Sequence, residues 1–241
     1  AVVSTNNVSE VEESTSQSAV AATSEESITS SANTETQSSS DIGEYNISSG
    51  EFNHFPREKN GWDSTGWSVV TPSEDSRLIY VSSSDGNDET GEFYVPRDVA
   101  DIKNPGQIKP FKTIHTAIAQ TRKGFPDWIL LRRGDEWEVA ARAELKAGRS
   151  LNERSVFTSY GIHPNRPVIV KSEGREMLRI WSYRNYVAVM GISFYAKERD
   201  PESSSFVGWG NVEDVDGIVL YSPPGIRTGS VLLEDNHFNY L

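Results

Sequence analysis

Val187-Ala-Val-Met-Gly-Ile-Ser-Phe194 and Val231-Leu-Leu-Glu-Asp-Asn-His-Phe238 are two versions of one pattern, with valine first, an aliphatic residue third and phenylalanine eighth. Their starts lie 44 residues apart, and a polar stretch, 196–214, separates them. Taking that stretch as an inserted loop of about 19 residues leaves a period of about 25, within the range of stacked repeats. A repeat of that size turns only a few aliphatic side chains inward and cannot shield them alone. Stacking buries them in ladders, with strands about 4.8 Å apart. The two stretches therefore predict successive turns of a β-solenoid, with Val187 beside Val231.

Outward from this pair, short segments rich in Val, Ile and Leu and bounded by Gly, Pro, Asn and Asp predict strands at 128–132, 155–160, 167–172, 177–182, 186–194, 217–221 and 231–238. An earlier strand is predicted at 78–81, closed by the turn formers of 82–88. Phe111, Ile114, Ala117 and Ile118 recur at helical spacing between Pro110 and Gly124, so one amphipathic helix is predicted over 110–123. Its apolar face suits a lid over the first turn, whose open end would expose side chains and unpaired backbone groups.

The chain's 241 residues include no cysteine, which excludes a disulfide scaffold and a Cys-ligated zinc site. No apolar run approaches the roughly 20 residues of a membrane-spanning helix. Charge is uneven. Residues 1–50 hold eight of the 35 acids and none of the 23 bases, so the rest of the chain is nearly balanced. It lacks the basic excess that phosphate backbones demand, and nucleic acid is not an expected partner. Ser and Thr supply 20 of the first 50 residues, and Tyr45 is the one aromatic there. Such a segment cannot bury enough surface to offset chain entropy, so 1–50 is predicted to be a disordered acidic tail or linker. An extended lead-in, 51–76, and a folded part, 77–241, follow. The start at Ala1 instead of Met predicts a removed signal peptide and a secreted or envelope-associated protein, with the tail as a stalk. Leu241 follows the last predicted strand by three residues, which predicts a fragment holding the cap and first coils.

Leu78-Ile-Tyr-Val-Ser-Ser-Ser-Asp-Gly-Asn-Asp88, Pro110-Phe-Lys-Thr-Ile-His-Thr-Ala-Ile118 and Pro126-Asp-Trp-Ile-Leu-Leu-Arg-Arg-Gly-Asp-Glu-Trp137, taken in order, resemble exported right-handed parallel β-helix proteins of the pectate-lyase-like superfamily. Ser159-Tyr-Gly161, Arg166-Pro-Val-Ile-Val170 and Tyr186–Phe194 continue the resemblance, which spans about 77–241. It implies an all-β, right-handed parallel β-helix with an N-terminal capping helix. It also implies a carbohydrate-active monomer that cleaves an acidic polysaccharide, by β-elimination as a lyase or as a glycosidase. The same superfamily holds non-catalytic surface proteins, so the alternative is a polysaccharide-binding or adhesion protein on its stalk.

Lyase chemistry needs a cation to neutralise the uronate carboxylate and a base to take the adjacent proton. His237 is the candidate base, although Glu234-Asp-Asn-His237 also suits a corner that satisfies backbone groups. Glu213, Asp214 and Asp216 could offer oxygens to calcium, or form a solvated loop. Asp214 and Asp216 also meet the loose spacing of a hydrolase's two carboxylates. Arg132, Arg133, Arg179 and Arg184 could form a cationic track for sugar carboxylates; pairing with Asp135, Glu136 and Glu138 is the simpler expectation for the first two. Trp209, between Gly208 and Gly210, could stack on a sugar or pin its loop.

Overall fold

A computed structural model describes residues 67–171, 175–181, 186–211, 214–222, 224 and 230–241. The tail, most of the lead-in, Arg184 and Glu213 lie outside the described residues. Among the described residues, thirteen strands and one α-helix follow in chain order: β1 (Leu78–Val81), β2 (Phe93–Tyr94), α1 (Ile114–Gln120), β3 (Trp128–Arg132), β4 (Glu136–Val139), β5 (Ala143–Glu144), β6 (Ser155–Tyr160), β7 (Val168–Lys171), β8 (Glu176–Trp181), β9 (Val187–Met190), β10 (Ser193–Tyr195), β11 (Asp216–Tyr221), β12 (Val231–Glu234) and β13 (His237–Asn239). From β3 onward the chain deals its strands to three sheets in rotation. The first sheet runs β12-β9-β6-β3-β1-β2, the second β13-β10-β7-β4 and the third β11-β8-β5. Strand pairing is parallel except between β1 and β2, so the chain is all-β with mostly parallel sheets.

The repeated pattern aligns in space. Val187 pairs with Val231 and Phe194 with Phe238. Each eight-residue stretch is nevertheless two strands and not one. Gly191 (φ 74°) and Asp235 (φ 55°) sit in the left-handed region and turn the chain from the first sheet into the second. The 25-residue period holds from Val168 to its partner Ser193; other rotations are longer because their loops are longer. β4 and β5 escaped the sequence reading: Glu136–Val139 alternates exposed and buried instead of running apolar, and β5 is two residues long.

Between the sheets lie inward ladders. Ile79, Ile129, Phe157 and Val189 follow one another in the first sheet and Trp137, Ile169 and Phe194 in the second, where Phe238, 48% exposed, is next in register. Phe194 and Phe238 stack at 5.2 Å and 9°. Ile114 and Ala117 of α1 are buried in this same core. The helix is shorter than predicted because Phe111 donates its backbone N–H to Tyr80 O and bridges Val81, which holds 110–112 extended beside β1. Thr113 caps the helix by accepting from Thr116 N.

The first sheet is covered on both faces. Leu78, Tyr80, Trp128, Leu130, Val156 and Ala188 form a second core, under Val70, Val99, Ile102 and Ile108. Double burial explains the unbroken apolar runs of β1 and β3. The lead-in's end crosses this sheet: Ser68 N and Oγ donate to Glu234 at the end of β12, while Arg77 N donates to Asp127 Oδ1 ahead of β3.

Candidate functional site on the third sheet

In β8, Leu178 and Ile180 point into the core, which leaves Arg179 and Trp181 on the outer face. Register then sets their neighbours: Glu144 and Val219 flank Arg179, and Tyr221 lies beside Trp181. The Arg179 guanidinium carbon is 5.0 Å from the Trp181 ring centroid and 5.2 Å from that of Tyr221. The two rings meet edge to face at 4.7 Å and 74°. Arg179 also forks onto Glu176, with Nε to Oε2 at 2.5 Å and Nη2 to Oε1, and this hydrogen bond holds its pKa above the ordinary guanidinium value. Stacking plus a bidentate carboxylate fixes a long side chain flat on the sheet.

Beside this group, Arg142, Glu144, Arg175 and Glu176 line a shallow cleft of about 420 Å³. Arg142 Nε lies 3.1 Å from Glu144 Oε1 and 3.9 Å from Glu176 Oε2. Sharing one nitrogen keeps those two oxygens within roughly 7 Å of each other, so the two carboxylates stand on the same side of the cleft. Arg175 Nε holds Asp216 Oδ2 at 2.7 Å, and its Nη2 lies 4.0 Å from Asp214 Oδ2. The face thus offers two aromatic rings, three arginines and four carboxylates, a set able to stack on a pyranose and bond its hydroxyl and carboxylate groups.

The sequence candidates meet this face unequally. Asp216 opens β11, and Asp214 lies just before it; both face Arg175. Glu213 and Arg184 are outside the described residues. Trp209 is 64% exposed in the inserted loop and packs edge to face on Phe206 at 5.3 Å. His237 belongs to another sheet: it is exposed on β13, in register with Ser193, and its backbone N–H donates to Ile192 O. Among the described residues no three His, Asp or Glu side chains gather as a metal site would require.

The corner beside His237 does structural work through Asn236, whose Oδ1 accepts from Ile192 N and whose Nδ2 donates to Val189 O. Arg132 and Arg133 do not join Arg179: they leave the end of β3, in the first sheet. Nor do they pair with their sequence neighbours. Arg132 bonds Asp85, Arg133 donates to the carbonyls of His163 and Pro164 at 2.6 Å, and Asp135 accepts from Ser82 and Ser84. Corner geometry aims these groups at the preceding and following turns, which sequence proximity does not reveal.

Sequence reasoning missed Arg142, Glu144, Arg175, Glu176, Trp181 and Tyr221. The available signal was the alternation in 178–181, which places Trp181 outward beside Arg179 once Leu178 and Ile180 are assigned inward. Compared with known protein families, curated proteins and solved structures, the chain matches none.

Proposed function

We propose that this chain is a right-handed parallel β-helix of the pectate-lyase-like kind, capped by α1, which binds and cleaves an acidic polysaccharide along the outer face of the third sheet. The observation that carries the reading is Arg179, held against Trp181 and Tyr221 next to the arginine-bridged carboxylates Glu144 and Glu176. Aromatic rings suit the apolar face of a pyranose, and planar guanidinium groups suit its carboxylate. The Ser/Thr-rich acidic tail and the resemblance agree with an exported or envelope-associated setting.

A second reading, binding without cleavage, is favoured by the engagement of Glu144, Glu176 and Asp216 with arginines, which lowers their availability as bases. The two separate in one assay, in which the full-length chain is incubated with a panel of uronate polymers. Unsaturated products that absorb in the ultraviolet indicate a lyase, and new reducing ends without them a hydrolase. Retention on immobilised polymer without either product supports binding alone. Neither retention nor product with any uronate polymer overturns the proposal. Trp181→Ala is expected to weaken binding by about tenfold, the worth of one aromatic contact of 1 to 2 kcal/mol.

A further inference from the structure

Where β3 and β6 end, a separate cleft of about 540 Å³ opens under the loop 104–110, a size ordinary for small-ligand sites. Arg132, Arg133, His163, Tyr160 and Asp85 line it. Gly134 (φ 87°) and Gly161 (φ 92°) form its two corners. A Cβ on Gly134 would stand 2.8 Å from the His163 ring, so glycine there lets the ring close the cleft.

The polar inventory is rich in donors. Arg133 spends Nε and Nη2 on the carbonyls of His163 and Pro164, which leaves Nη1. His163 Nδ1 accepts from Asn165 N at 3.2 Å, so the neutral ring carries its proton on Nε2 as a donor. Lys103 lies alongside, with its ammonium 3.0 Å from Ser159 O and 3.2 Å from Thr158 Oγ1. Of the two carboxylates, Asp135 is already bonded by Ser82 Oγ, Ser84 N and Ser84 Oγ. The other, Asp85, pairs with Arg132 where their side chains are 64% and 40% exposed. An ion pair so open contributes little, so an incoming anion can displace Asp85 from Arg132.

We propose that this cleft binds an oxyanion, a carboxylate or a sulfate, held by Arg132 and Arg133 with His163 Nε2 as a further donor, and that Asp85 is the internal competitor for that place. The site lies at the end of the first sheet, not on the third, and does not depend on the function proposed for that face.

The test is an NMR titration of the full chain with sodium glucuronate and, separately, sodium sulfate, with sodium chloride adjusted to keep ionic strength constant. Saturable shifts at Gly134, Gly161 and His163 are expected with at least one probe. Response to glucuronate alone points to a sugar acid as the source, and response to sulfate alone to an inorganic anion. Arg132→Gln should weaken binding about tenfold. Asp85→Asn should tighten it about threefold, a gain that a damaged fold does not produce. Trp181→Ala should leave this titration unchanged. The proposal is overturned if neither probe shifts these residues, or if Asp85→Asn binds no tighter than the parent chain.

Discussion

Asp127 shows how much one side chain can hold together. It is fully buried and accepts from Arg77 N, from Arg122 N, and from the Arg122 guanidinium at 3.1 and 2.6 Å. Asp127→Ala would leave Arg122 and two backbone donors without their acceptor, and a loss of about 3 to 5 kcal/mol is expected in urea unfolding. Asn236 is the milder case. Its two amide bonds tie the last corner to the one beneath it, and Asn236→Ala should cost about 1 to 3 kcal/mol. The Glu234-Asp-Asn-His237 segment could be read from sequence as a corner that satisfies backbone groups, because asparagine carries both a donor and an acceptor. The partners of Arg132 could not be read, since Asp85 is 47 residues away and is brought close by stacking.

At the scale of elements, α1 matters for what it covers. Ile114 is 2% exposed and Ala117 fully buried, at the β1 end of the core. Truncating Ile114 to alanine should cost about 2 to 5 kcal/mol and raise the binding of a hydrophobic dye, as core surface becomes accessible. The edge of β1 is shared between two devices, since the antiparallel β2 pairs with Leu78 and Ile79. A helix was legible from its period; β2 was not, because two residues carry no period. The same limit hid β5, and with it the outer face on which Glu144 stands.

For the whole molecule, stability depends on pH through groups desolvated beside the first sheet. Desolvation and the nearby Arg133 charge lower the pKa of Lys103 to about 8, although the residue as a whole is exposed. Between pH 8 and the ordinary lysine value of 10.5 the unfolded chain binds more protons there, so stability should rise with pH. Burial acts oppositely on Tyr80 and Tyr160, raising their pKa values well above 10; the folded chain keeps their protons longer, so stability should fall as pH climbs past 10. Thermal melts from pH 7 to alkaline values should therefore show a maximum between about 8 and 10, and Lys103→Met should flatten the rising limb. What the sequence alone determined was the all-β class and the stacking register: apolar side chains of a repeat must align to shield one another, and Val187 aligns with Val231 and Phe194 with Phe238. Only the tertiary structure decided where the strands break into corners, which side chains face outward together and which charges meet. Those depend on how loops of unequal length bring successive rungs into contact, and no local period encodes that.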